Sequence, residues 1–157
     1  MTITLLFVLP IVVIPVGVDA ESLEVDDPEV LRYEVVVLSA SDYLDESLVV
    51  DLLETKLRAG GITPVRLSPS GRWIGPSLEV WVQPLSFEGW AYNIQLLRNV
   101  SCQARGQTLR EYAATFNDYW PNVWPFFAEH QILNHMEIAF DQFIQRFRSA
   151  NGLAGGK

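Results

Sequence analysis

Residues 78–96 read LEVWVQPLSFEGWAYNIQL, and the alternation inside this stretch decides the fold. Leu78, Val80 and Val82 alternate with Glu79, Trp81 and Gln83; after Pro84 to Gly89, Trp90, Tyr92, Ile94 and Leu96 alternate with Ala91, Asn93 and Gln95. A period of two puts each set on its own face of a sheet. Two strands joined by a short turn follow, with one packed face and one wetter face. Arg98 interrupts the phase before Val100 and Cys102 resume it, which predicts a bulge near Arg98.

Toward the N-terminus, Tyr33 to Leu38 is a run of strand formers closed by Ser39-Ala40-Ser41-Asp42. From about Asp45 to Ala59, Leu48, Val49, Leu52, Leu53 and Leu57 recur at spacings of three and four. Lys56 and Arg58 fall in the last turn and Gly60-Gly61 offers a left-handed stop, so a helix is predicted. Ile62 to Leu67 reads as a short strand, followed by a loop between Ser68 and Ser77 that carries Trp73.

Toward the C-terminus the signals compete. Thr108-Leu109-Arg110-Glu111 has the form of a capping box, yet Arg105-Gly106-Gln107 makes a hairpin turn and Tyr112, Ala114 and Phe116 alternate. The strand is the reading taken, completing a three-strand meander. Between Phe116 and Phe127, Phe116, Tyr119, Trp120, Trp124, Phe126 and Phe127 crowd around Pro121 and Pro125, which predicts largely irregular chain. Ile132, Leu133, Met136, Phe140, Phe143, Ile144 and Phe147 then mark a long amphipathic helix ending near Asn151-Gly152. The expected fold is α+β: a two-layer sandwich, a mostly antiparallel sheet of about five strands with two helices on one face.

Residues 1–20 read as a signal peptide, with an apolar run from Ile3 to Val18 and a cleavage-type Val18-Asp19-Ala20, the cut falling between Ala20 and Glu21. An uncleaved anchor is the alternative, since no Lys or Arg precedes the run. Residues 21–32 are expected to be an acidic flexible lead-in, 33–150 a single α+β domain and 151–157 a disordered tail. The chain beyond Ala20 has 18 acidic and 11 basic side chains, a formal charge of −7. Eleven of those acids lie between Glu21 and Glu54, against Arg32 alone. With no basic stripe, nucleic-acid binding is excluded as a reading. The sole cysteine, Cys102, allows no internal disulfide, so an exported domain of this kind must rest on its core.

Chemistry is sought and not found. His130 and His135, the two histidines, stand five residues apart, which on a helix separates them by about 140°. Neither a zinc site nor a nucleophile elbow is formed, and no glycine cluster precedes a helix as a phosphate cradle must. No metal or cofactor is expected. Asp42, Asp45, Glu46, Asp51 and Glu54 could serve a small exported hydrolase together with a histidine, but a solvated helix face with acids at its N-terminal dipole explains them without a substrate.

The aromatics remain. Trp and Tyr suit partner surfaces and apolar ligands because each joins a large apolar body to a polar tip. Trp120, Trp124, Tyr119, Phe126, Trp73 and Trp81 are therefore the candidate binding residues. Closure of the core by the 116–127 segment is the plainer account of most of them.

The layout resembles that of small periplasmic auxiliary subunits of envelope ABC-type transporters. The matching elements are the helix Ser47-Leu48-Val49-Val50-Asp51-Leu52-Leu53, the strand Leu78-Glu79-Val80-Trp81-Val82 with its hairpins, and the helix through Phe140-Asp141-Gln142-Phe143-Ile144. That resemblance spans residues 33–150 as a pattern of elements and implies a non-catalytic partner protein handling lipid or membrane assembly. The expected function is an exported, non-enzymatic accessory module, periplasmic or extracellular, binding a protein partner or apolar ligand. A retained leader would bring it to the membrane surface.

Overall fold

The computed structural model describes residues 23–38, 44–68, 75–85, 89–104, 107–122 and 129–153. The leader and its Ala20–Glu21 junction, Trp73, Trp124 and Phe126 lie outside the described residues, as does 154–157. The elements run β1 (Val30–Val37), α1 (Glu46–Ala59), β2 (Thr63–Arg66), β3 (Ser77–Leu85), β4 (Gly89–Ala104), β5 (Gln107–Asn122) and α2 (Glu129–Ala150). An α+β chain with two helices is what the periodicities require.

The five strands form one sheet in the order β2-β1-β3-β4-β5. The expectation of a mostly antiparallel sheet is corrected: β1 is parallel to both β2 and β3, while β3–β4 and β4–β5 are antiparallel. The sheet is mixed. The reason lies in α1, because a parallel pair needs a crossover of a dozen or more residues and the 14-residue α1 supplies it between β1 and β2.

Each helix is bounded by its own chemistry. Asp45 caps α1 by accepting from Ser47 N at 2.9 Å. At the other end Ile62 N donates to Leu57 O at 2.9 Å and Gly61 N to Arg58 O at 3.0 Å, with Gly61 at φ 78°, a Schellman stop. The end of α2 repeats it: Leu153 N donates to Arg148 O at 2.9 Å, and Gly152 has φ 69°.

Where irregular chain is expected from Phe116, β5 continues to Asn122 and includes Pro121. Proline is tolerated because β5 is an edge strand, so a missing N–H need not break a ladder. Pro64 likewise sits on the other edge, and Pro84 lies beyond Val37↔Val82, the last β1–β3 pair. The bulge foreseen near Arg98 falls one step earlier: Leu96 pairs with Phe116 and Leu97 with Ala114, leaving Thr115 as the extra residue. Beyond Leu97, β4 has β5 as its partner out to Ala104↔Gln107.

The core occupies one face of the sheet. Leu31, Tyr33 and Val35 of β1, Leu78, Val80 and Val82 of β3, and Trp90, Tyr92, Ile94 and Leu96 of β4 are buried there with Val49, Val50, Leu53 and Leu57 of α1. From α2, Ile132, Met136, Ala139, Phe140, Phe143, Ile144 and Phe147 join the same cluster. Both helices thus serve a single face. Leu23 is also buried in it, and Asn151 Nδ2 donates to Leu23 O at 2.8 Å while its Oδ1 accepts from Val25 N at 2.8 Å. The lead-in from 23 and the chain to 153 are therefore tied to each other, where loose ends are expected from the sequence.

Candidate functional site

The alternation that buries the even-numbered residues of β3 and β4 sends the odd ones to the opposite face. Glu79 stands opposite Gln95, Trp81 opposite Asn93, and Gln83 opposite Ala91, and such directly facing pairs lie about 4.5–5.5 Å apart at Cβ. Trp81 and Asn93 are half-buried, Gln83 is exposed and Ala91 is buried. With Tyr92 and Gln95 these residues line a concavity of about 210 Å³.

Its polar groups are linked. Glu79 Oε2 accepts from Trp81 Nε1 at 3.1 Å and from Gln95 Nε2 at 3.0 Å, so one carboxylate fixes the indole and the neighbouring amide. Asn93 Oδ1 is buried and has no hydrogen-bond partner among the described residues. A buried acceptor left unmade costs free energy. On β1, Glu34 and Val36 are in register with Glu79 and Trp81. On β5, Tyr119 stands opposite Asn93 and Trp120 opposite Tyr92.

Of the candidates named from sequence, Trp81 therefore sits in this concavity and Tyr119 holds the register position opposite Asn93, whereas Trp120 pairs with Tyr92 of the core alternation. Glu79, Asn93 and Gln95 are not among those candidates. Their signal is nonetheless in the alternation, which sets them with Trp81 and Ala91 on the wetter face.

Asp45, Glu46 and Glu54 are engaged in structure. Asp45 is the cap; Glu46 accepts from Arg66; Glu54 accepts from the Tyr33 hydroxyl and from Arg58 at 2.6 Å. Burial, then the hydrogen bond to Glu54, pushes the Tyr33 phenol far above its usual range, so it stays neutral. The Tyr33 and Arg58 hydrogen bonds hold the Glu54 carboxyl below the usual range. A second concavity, about 370 Å³ between α1 and α2, is lined by Lys56, Ala59, Gly60, Asp141, Ile144, Gln145 and Arg148. Lys56 there pairs with Glu137 at 2.7 Å and Asp141 at 2.8 Å.

His130 and His135 are exposed on α2, the His135 ring lying 6.2 Å from that of Trp90, and neither histidine lines either concavity. Among the described residues no three His, Cys, Asp or Glu side chains gather as a metal site, and no helix is long and apolar enough to cross a membrane.

No family model matches the sequence, and no curated protein matches it. A solved structure titled as the crystal structure of an uncharacterized protein is 13% identical over 85% of this chain and 96% of its own, with a TM-score of 0.27.

Proposed function

We propose that this chain is an exported, non-enzymatic accessory module that binds through the helix-free face of its sheet, with Trp81 at the centre and a protein partner or an apolar ligand as the expected class. The observation that carries the reading is the concavity around Trp81: a half-buried indole held in place by Glu79 on a face that neither helix uses for the core. A rigid aromatic with its polar tip already bonded loses little freedom on binding, which is what makes such residues anchors.

Export is proposed from the leader at residues 1–20, and a retained leader would hold the same face near a membrane surface. The test is capture from the native envelope fraction by the chain beginning at Glu21 and by its Trp81→Ala variant. A partner retained by the first and lost by the second is the expected result. Capture indifferent to Trp81, with both proteins folded, would refute the role of this face.

A further inference from the structure

Three consecutive residues of the lead-in are held by their backbone. Asn151, just past α2, accepts from Val25 N at 2.8 Å and donates to Leu23 O at 2.8 Å; its amide also donates to Phe147 O at 2.8 Å, which fixes its orientation. Arg98 of β4 donates from Nη1 to Glu24 O. The Leu23 side chain is 5% exposed and belongs to the core cluster, with Val25 packed against it. Partners 74 to 128 residues away in sequence thus close over a segment that composition alone reads as a solvated acidic lead-in.

This clasp stands close to the junction between Ala20 and Glu21. Only Glu21 and Ser22 separate that junction from Leu23, a reach of at most about 7 Å, which is less than the roughly 10–12 Å width of one helix with its side chains. A protease must bring its own secondary structure up to the bond it cuts, and a closed clasp sets the body of the domain against it. With the clasp open, the chain is free up to Glu29, whose carbonyl accepts from Thr63 N at 2.7 Å, and the same reach grows to about 25 Å.

Hydrolysis of the Ala20–Glu21 amide adds one water, leaving a carboxylate on Ala20 and an α-amino group on Glu21. We propose that the Asn151 clasp sets the order of processing: a signal peptidase cuts between Ala20 and Glu21 before the clasp closes, and a chain whose clasp closes first keeps its leader and stays tethered. Release and tethering are two outcomes of one kinetic competition between cleavage and folding. The inference rests on the proposed export in taking residues 1–20 as a leader, and on nothing in the Trp81 face.

The full chain is synthesised in a cell-free system with detergent-solubilised signal peptidase, present either from the start of synthesis or added after folding is complete. Wild type is cut when the peptidase is present from the start, and at least about tenfold more slowly when it is added late. Asn151→Ala removes all three amide hydrogen bonds and Leu23→Ala empties the buried position. Both are cut late at least about tenfold faster than wild type, because cleavage of a folded chain follows the population of its open form. Met136→Ala, about 22 Å up α2 from Asn151, truncates the core away from the clasp and keeps the late rate within about threefold of wild type. Circular dichroism shows each variant folded; should Asn151→Ala not fold, Asn151→Asp, which keeps the acceptor for Val25 and loses the donor to Leu23, carries the comparison.

Late cleavage that Asn151→Ala and Leu23→Ala leave unchanged overturns the proposal. A late rate raised as much by Met136→Ala as by the clasp variants assigns the protection to overall stability and overturns it too. If wild type is cut as fast late as early, the leader stands and the clasp falls. If no form is cut between Ala20 and Glu21 even with the peptidase present from the start, the leader reading falls and this order of events falls with it.

Discussion

The two faces of β3 and β4 are made from the same nineteen-residue stretch, 78–96, and differ in every physical respect. On one, Leu78, Val80, Val82, Trp90, Tyr92, Ile94 and Leu96 are sealed by two helices, and what matters is volume. On the other, Trp81, Asn93 and Gln95 line an open concavity with Glu79 bonded to Trp81 and Gln95, and what matters is which donor meets which acceptor. A residue moved by one position along either strand changes from one regime to the other. The comparison teaches that, among the described residues, both helices pack on the first face, which is the basis for reading the second as a recognition surface.

The largest effect that can break this contrast is a paired truncation. Phe140 of α2 is fully buried, so Phe140→Ala should cost about 3–5 kcal/mol through lost transfer and the cavity left behind. Trp81→Ala, which removes a larger but only partly buried ring, should cost less than that. Urea unfolding measures both. Equal losses would make the Trp81 face a second core and remove the basis for reading it as a binding surface.

Next in size is a contact that shows how tightly the helical side is closed. Gly60 ends α1 in right-handed geometry that any residue can adopt, yet a Cβ there would stand 2.7 Å from Ile144 Cγ2 of α2. A branch methyl next to the backbone cannot swing away, so Gly60→Ala should cost about 1–3 kcal/mol by overpacking. Ile144→Leu removes the β-branch methyl Cγ2 at nearly constant volume. The double variant should therefore lose less than the two single losses added together; strict additivity would show that the helices do not meet there as described.

The local elements are legible in the sequence, and the long-range ones are not. Helix α1 can be read from Asp45, the apolar spacing and Gly60-Gly61 because each of those signals acts within a turn or two. The order β2-β1-β3 cannot, since Val30–Val37 and Thr63–Arg66 have no residue that specifies a parallel neighbour. Pro121 reads as a breaker because its tolerance depends on β5 being at the edge, a fact of topology. The site is half legible for the same reason. Alternation places Trp81 with Glu79 and Asn93 with Gln95, but register has to bring Trp81 and Asn93 face to face.

A smaller effect tests how the core side handles the buried phenol of Tyr33. Tyr33→Phe removes a hydrogen bond to Glu54 and should cost about 1 kcal/mol near neutral pH. Because the folded-state carboxyl of Glu54 is held below its usual value, that stabilisation is present above the unfolded value of about 4.5 and is lost as pH falls through the folded one. The gap between wild type and Tyr33→Phe should close on acidification; a gap unchanged down to about pH 3 would mean that the phenol bonds something other than the carboxylate.

The smallest effect comes from Lys56, which joins α1 to Glu137 and Asp141 of α2 at the rim of the helical layer. Its partners are about half exposed, so water screens the pairs and Lys56→Met should cost under about 1 kcal/mol. The hydrogen bonds to Asp141 and Glu137 raise the Lys56 ammonium above its usual value of 10.5. Its contribution is therefore full below that pH and disappears as pH rises through the folded value. Tyr33 loses its neutral form in the same direction, since its phenol is also raised. Alkaline unfolding of wild type should thus be steeper than that of Lys56→Met, and steeper again than that of Lys56→Met combined with Tyr33→Phe. Substitutions at Glu79 or Gln95 should leave the alkaline limb where it is, because Glu79 bonds Trp81 and Gln95 within the sheet. An alkaline limb that moved with Glu79→Gln would show that the two faces are coupled after all.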